Sequence, residues 1–163
     1  MKSVQSIPSK IYDLPQLLQE VKRWRVKNKK VVFTNGVFDI LHEGHIASLS
    51  QAATHGDVLV IGLNSDASVK RLKGDSRPVN TQAARALILA SLVMTDAVVI
   101  FDEDTPLNLI KAIMPEVLVK GGDYTVEQIA GAKEVIANGG QVILADMVEG
   151  ISTTAIIEKM KTQ

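Results

Sequence analysis

Five short apolar runs, with helix-like segments between them, constrain this chain more than any other feature: Val31-Val32-Phe33, Val58 to Leu63, Ala97 to Phe101, Val117 to Val119 and Gln141 to Ala145. Runs this short, rich in β-branched residues and without sustained polar alternation, are the form of strands buried on both faces. The intervening segments carry apolar residues at helical spacing, as Leu14, Leu17, Leu18, Val21 and Trp24 do in the first of them. Strand and helix alternating from end to end argue for a parallel sheet with right-handed crossovers. The expectation is an α/β chain: a single Rossmann-like doubly wound domain over 1–163 with a five-stranded parallel sheet, in which 1–29 form an N-terminal segment and covering helix. Trp24 is expected to pack that helix rather than to stack on a base.

Local signals set the helix boundaries. Asn64-Ser65-Asp66 would cap a short helix running to about Leu72. Thr81 to Leu92 is Ala/Leu-rich, Thr105-Pro106 supplies a cap and a first-turn proline, and Pro115 closes the helix that follows. Val126 to Asn138 reads as one helix stopped by Gly139-Gly140, and Ser152 as the cap of a final helix through Lys161.

Function concentrates where the first run ends. Val31 to Phe33 leads into Asn35-Gly36, a turn pair, and then into Asp39-Ile40-Leu41-His42-Glu43-Gly44-His45, with Ile46, Leu49, Ala52 and Ala53 behind it at helical spacing. A strand-to-helix junction offers free backbone N–H groups and the positive end of a helix dipole, which favour an anion. Two imidazoles delivered there suggest a phosphate site. Zinc-binding helical pairs prefer i, i+4 spacing, whereas His42 and His45 are i, i+3, and the absence of cysteine leaves no soft ligand to complete such a site. Gly44 between them lets a ligand come close to the backbone.

Composition removes several classes. The 18 basic and 18 acidic residues balance, which argues against a general nucleic-acid or membrane-surface binder. With no cysteine there are no disulfides and no thiolate chemistry. No apolar run approaches a membrane span, and the N-terminus lacks the apolar core of a signal peptide, so a cytoplasmic protein is expected. Neither G-x-G-x-x-G nor a Walker lysine loop follows the first strand, which leaves hydride transfer and P-loop hydrolysis poorly supported.

Gly36-x-Phe38-Asp39 running into His42-x-Gly44-His45, with Glu149-Gly150-Ile151-Ser152-Thr153-Thr154 over a hundred residues later, resembles the signatures of the nucleotidyltransferase superfamily that includes the cytidylyltransferases. The likeness runs from about Lys30 to Met160. Within it, Asn64 to Gly74, Arg77-Pro78-Val79-Asn80, Phe101 to Pro106 and Val117 to Tyr124 are similar to the heptose-phosphate adenylyltransferases. Those enzymes make ADP-heptose for lipopolysaccharide cores, often joined to a sugar-kinase half; this chain looks like a stand-alone version working with a separate sugar kinase. Val37 stands where many of them carry cysteine. Met147 stands where glycerol-phosphate cytidylyltransferases carry an arginine.

The resemblance implies in-line attack of a sugar 1-phosphate on the α-phosphate of ATP, giving ADP-sugar and pyrophosphate. It implies that His42, His45 and Lys120 are catalytic. Nucleotide contacts would come from Thr34, Asn35, Gly36, Phe38, Asp39, Gly44, Gly121, Asp123, Ser152, Thr153 and Thr154, with Asp39 mainly organising the turn. The basic loop after the second run, together with its neighbours, places Asp66, Lys73, Arg77 and Arg85 at the sugar phosphate. Mg²⁺ is expected to ride mainly on the nucleotide phosphates, and a homodimer is compatible with the family. The alternatives are a cytidylyltransferase acting on a polyol phosphate such as glycerol 3-phosphate, and a non-catalytic nucleotide-binding module.

Overall fold

A computed structural model of the chain describes residues 6–122, 124–146 and 152–162. The strands are β1 (Ile11–Tyr12), β2 (Val31–Gly36), β3 (Val58–Asn64), β4 (Ala97–Phe101), β5 (Val117–Gly121) and β6 (Gln141–Ala145). The helices are α1 (Leu14–Val26), α2 (Glu43–Ala53), α3 (Asp66–Lys73), α4 (Gln82–Ser91), α5 (Leu107–Ile113), α6 (Ala132–Ala137) and α7 (Thr153–Lys161). The sheet has the order β1-β4-β3-β2-β5-β6, and every pairing is parallel.

The sheet thus has six strands rather than the expected five. The extra one, β1, is two residues long and pairs through Ile11 and Tyr12 with Val98 and Val99 at the edge of β4. Such a strand, pinned between Pro8 and the helix cap Asp13, is too short to show a period in sequence. Asn35-Gly36 does not break the first run as a turn; both residues remain in β2, in register with Gly62 and Leu63.

Alternate residues of the strands enter two cores, one on each face of the sheet. Val31, Phe33, Val58, Val60 and Leu118 join Leu17 and Val21 of α1 and Leu109, Ile110 and Ile113 of α5. Trp24 packs against this core. Val32, Leu59, Ile61, Leu63 and Val119 join Leu49 and Ala52 of α2 and Ala86 and Leu89 of α4 on the other side. The doubly wound architecture follows from this split.

Two helix boundaries depart from the sequence reading. Pro106 is itself the cap of α5, with no side-chain bond to its first turn. The expected helix over 126–138 is divided into a 3-10 turn at Val126–Gln128 and α6. Gly131 causes the division: its φ of 83° is left-handed, and a Cβ there would lie 2.6 Å from Cγ2 of Ile110 in the core. Gly131→Ala should therefore cost about 1–3 kcal/mol of stability, from backbone strain and the clash together. The shift would be read from the denaturant midpoint; an unchanged midpoint would show that the break has another cause.

Candidate active site

Chain direction in the sheet reverses between β2 and β5. From β2 the chain moves outward through β3 and β4, then returns to lay β5 and β6 on the other side. Open α/β sheets bind ligands at the carboxyl ends of the strands flanking such a switch point. A cleft of about 370 Å³ lies there, between the ends of β2 and β5 and the starts of α2 and α7. Thr34, Asn35, Gly36, Phe38, Asp39, His42, Gly44, His45, Lys73, Arg77, Lys120, Gly121, Ser152, Thr153 and Thr154 all line it. Residues nearly 120 positions apart in sequence are brought to one cavity.

The histidines stack face to face, with ring centroids 3.8 Å apart and an interplanar angle of 24°. Phe38 sets the ring of His45 from the other side, edge-on at 5.2 Å. Phe38 itself adopts a left-handed φ of 46°, and its ring folds back over Gly36, where a Cβ would meet it at 2.9 Å. Glycine at 36 is thus required by the aromatic support of the histidine pair. His42 caps α2 through its backbone alone, and no side chain covers that helix start. Both Nδ1 atoms are buried without a hydrogen-bond partner among the described residues. An orphaned buried polar atom is costly unless a ligand completes it.

Burial lowers the pKa of both rings. Desolvation, followed by the neighbouring His42, takes His45 down to about 4, and desolvation also lowers His42 against the opposing pull of Glu43. Both are neutral at pH 7 in the free protein. Lys120 at the end of β5 is likewise lowered by desolvation, and no described carboxylate forms an ion pair with it.

Asp39 behaves as the sequence suggested. Burial alone would raise its pKa, but the N–H groups of Asn80 and Val79 and the Arg77 guanidinium outweigh it and hold the carboxyl below its ordinary value. Val79 and Asn80 each donate a backbone N–H at 2.9 Å, Arg77 donates Nε at 2.7 Å, and the Asn80 amide donates to the Asp39 carbonyl. The carboxylate pins the 77–80 loop to the histidine loop.

Arg85 is not at the cleft, contrary to expectation. Its side chain is fully buried. It donates to the carbonyls of Val37 (2.7 Å), Asn64 (2.9 Å) and Asn80 (3.0 Å) and to Asp66 Oδ1 (2.8 Å). Asp66 is engaged by that pair and does not line the cleft. Both belong to the frame because Arg85 lies on the inward face of α4, where helical spacing with Leu89 directs it into the protein. Lys73 and Arg77 do reach the cleft; Arg71, from the same basic cluster, turns instead to Asp104 at 2.8 Å.

Ser152 caps α7 by accepting from the Ala155 N–H, and Thr153 Oγ1 donates to the Ile40 carbonyl at 3.3 Å, docking α7 onto the histidine loop. Asp123 and Glu149-Gly150-Ile151, singled out in the sequence, lie outside the described residues. Sequence reasoning missed Ser48 and Asp146 as lining residues. Ser48 stands three residues after His45 on the same helix face, and Asp146 follows the carboxyl end of β6. Both positions were deducible once helix and strand were assigned.

This fold and site define a class. A profile of cytidylyltransferase-like proteins matches residues 33–159, and the chain belongs to that family. Among particular proteins, it is 56% identical over 154 residues to the bifunctional protein HldE of Geotalea uraniireducens, covering 94% of this chain and 31% of that one. The bifunctional protein HldE of Caulobacter vibrioides is 54% identical over 153 residues, covering 94% and 32%. The chain thus spans about a third of the length of these curated relatives. A solved lipopolysaccharide core biosynthesis protein of Thermoplasma volcanium aligns with a TM-score of 0.62 at 24% identity, over 74% of this chain and 99% of its own. A pantoate-beta-alanine ligase of Francisella tularensis aligns with a TM-score of 0.60 at 16% identity, over 93% and 76%. These two likenesses are of fold.

Phosphate placed beside the rings would raise their depressed pKa values. ATP binding near pH 6 should then take up part of a proton, measured by calorimetry in two buffers of different ionisation enthalpy. His45→Asn, which does not titrate there, should reduce the uptake. Equal uptake by parent and variant would separate His45 from the phosphates. Without ligand the sign is fixed by burial: the contribution of His45 to stability is present above pH 6.5 and lost as pH falls toward about 4.

Proposed function

We propose that this chain transfers the adenylyl group of ATP to a heptose 1-phosphate, releasing pyrophosphate and forming ADP-heptose. The observation that carries the reading is the stacked His42–His45 pair at the switch point, whose Nδ1 atoms have no partner among the described residues, with Lys120 lining the same cleft. Identity above 50% to proteins named bifunctional HldE, over more than nine-tenths of the chain, supports the choice of acceptor.

The chemistry asks little of covalent catalysis. A phosphate oxygen of the sugar phosphate, already anionic, forms the new P–O bond to the α-phosphorus. The bond to the bridging oxygen breaks on the opposite side, and its electron pair leaves with pyrophosphate. The enzyme must align these groups and meet the charge that develops. His42 and His45 donate N–H groups to phosphate oxygens, and Lys120 supplies a cation whose hydration has already been stripped by burial. The start of α7, with Ser152, Thr153 and Thr154, holds the outer phosphates.

Among the described residues no group of three or more His, Asp or Glu side chains is placed to hold a metal. A Mg²⁺ ion would therefore be carried by the nucleotide phosphates and its own waters, neutralising their charge. The sugar 1-phosphate requires a kinase acting on the sugar beforehand, supplied by a separate protein or by a further part of a longer chain. We place the reaction in the cytoplasm, where ATP is available; no described helix is long and apolar enough to cross a membrane.

Pyrophosphate release should be measured with ATP and with CTP, each paired with heptose 1-phosphate and with glycerol 3-phosphate. The pair of ATP and heptose 1-phosphate should give the highest kcat/KM, by about tenfold or more. Preference for CTP with glycerol 3-phosphate would replace this reading with a polyol-phosphate cytidylyltransferase. ATP binding without turnover of any acceptor would leave a nucleotide-binding module.

A further inference from the structure

A second cleft, of about 390 Å³, opens at the same end of the sheet on its opposite face. The first cleft lies over the face covered by α2, whose Leu49 and Ala52 enter one core. The second lies over the face covered by α5 and the 126–129 turn, whose Leu109, Ile110 and Ile129 enter the other. The two share a wall made of Asn35, Gly36 and Val37 at the end of β2, together with Lys73 and Lys120. Two lysines, Lys73 and Lys120, thus line both.

We propose that this second cleft receives the sugar body of the acceptor, with the transferring phosphorus held at the shared wall. The inference rests on the adenylyl-transfer reading above and assigns the acceptor a place within it. In-line displacement requires the attacking and leaving oxygens on opposite sides of phosphorus. The leaving pyrophosphate belongs with the histidines and α7 on one face, so the attacking phosphate must arrive from the other. The second cleft supplies that approach.

Its lining suits a polyhydroxylated ring. Tyr124, exposed at its rim, lays its ring 5.6 Å from Lys120 Nζ and offers an apolar face beside a phosphate-binding cation. Gln128 spends its side-chain oxygen on the Thr125 N–H, which leaves its amide N–H₂ free to donate. Asn64 donates its N–H₂ to Ser68 Oγ, so the side-chain atom it can offer the cleft as an acceptor is its oxygen. The cleft therefore presents a donor, an acceptor and a stacking face to hydroxyls, next to the cation that binds phosphate. None of these residues lines the histidine cleft.

The test uses the full chain with ATP and heptose 1-phosphate. Tyr124→Ala and Gln128→Glu should each raise KM for the sugar phosphate tenfold or more, the second by placing a carboxylate against an anionic substrate. The Kd for ATP, from calorimetry, should stay within twofold of the parent, and Tyr124→Phe should restore KM. Both substitutions are at exposed positions, and circular dichroism would verify the fold. An active parent whose two variants keep the parental KM would overturn the acceptor site alone. So would a tenfold loss of ATP affinity in either, since the cleft would then serve the nucleotide. A parent that turns over neither ATP nor heptose 1-phosphate would overturn the adenylyl-transfer reading, and this assignment with it.

Discussion

The buried guanidinium of Arg85 is the interaction on which the geometry of the site depends. Four hydrogen bonds from one planar group join the chain just after β2, the end of β3, the loop before α4 and the start of α3. These segments meet only at the carboxyl edge of the sheet, where strand pairing has ended and cannot hold them. Asp39 adds a second tie by gathering the N–H groups of Val79 and Asn80 and the Arg77 side chain onto the histidine loop. Each ion uses its full fork or both oxygens, which is what makes a charge tolerable inside a protein. The segment that leads into His42 and α2 is held at Val37 by Arg85 and at Asp39 by the 77–80 loop.

A frame of this kind leaves the reactive groups themselves unpaired. The histidines are desolvated and neutral, Lys120 has no described carboxylate partner, and two helix starts point into one cavity. Under the proposed reading, donors placed before the anion arrives would need little reorganisation as charge develops. The stabilising ties are made by Arg85, away from the cleft, and by Asp39 in its wall; under the proposed reading, phosphate completes the other groups that face the cleft.

Much of this was legible in the sequence. The buried strands, the α/β class, the histidine pair and the Ser-Thr-Thr helix start each rest on patterns of adjacent residues, and the structure brings them together as the topology requires. Misreadings occurred where the deciding contact is distant in sequence. β1 is a strand only because β4 offers it an edge, and the break before α6 exists because Ile110 crowds Gly131. Arg85 looks like a phosphate ligand in sequence because it follows a basic loop; only burial on the inner face of α4 shows that it binds carbonyls and Asp66. The second cleft is not legible as one site in sequence, since Asn64 ends β3 while Tyr124 and Gln128 follow β5, and only the sheet brings them together.

Under the proposed reading, the histidine pair acts on charge that develops during adenylyl transfer, rather than simply holding ATP. Single-turnover kinetics of His45→Ala, set beside its Kd for ATP, tests this most directly. Loss of a fixed donor to the transition state should lower the rate by about 10²–10³, while ATP affinity changes far less. A variant that keeps the parental single-turnover rate, or loses affinity and rate in equal measure, would contradict a role in the transition state.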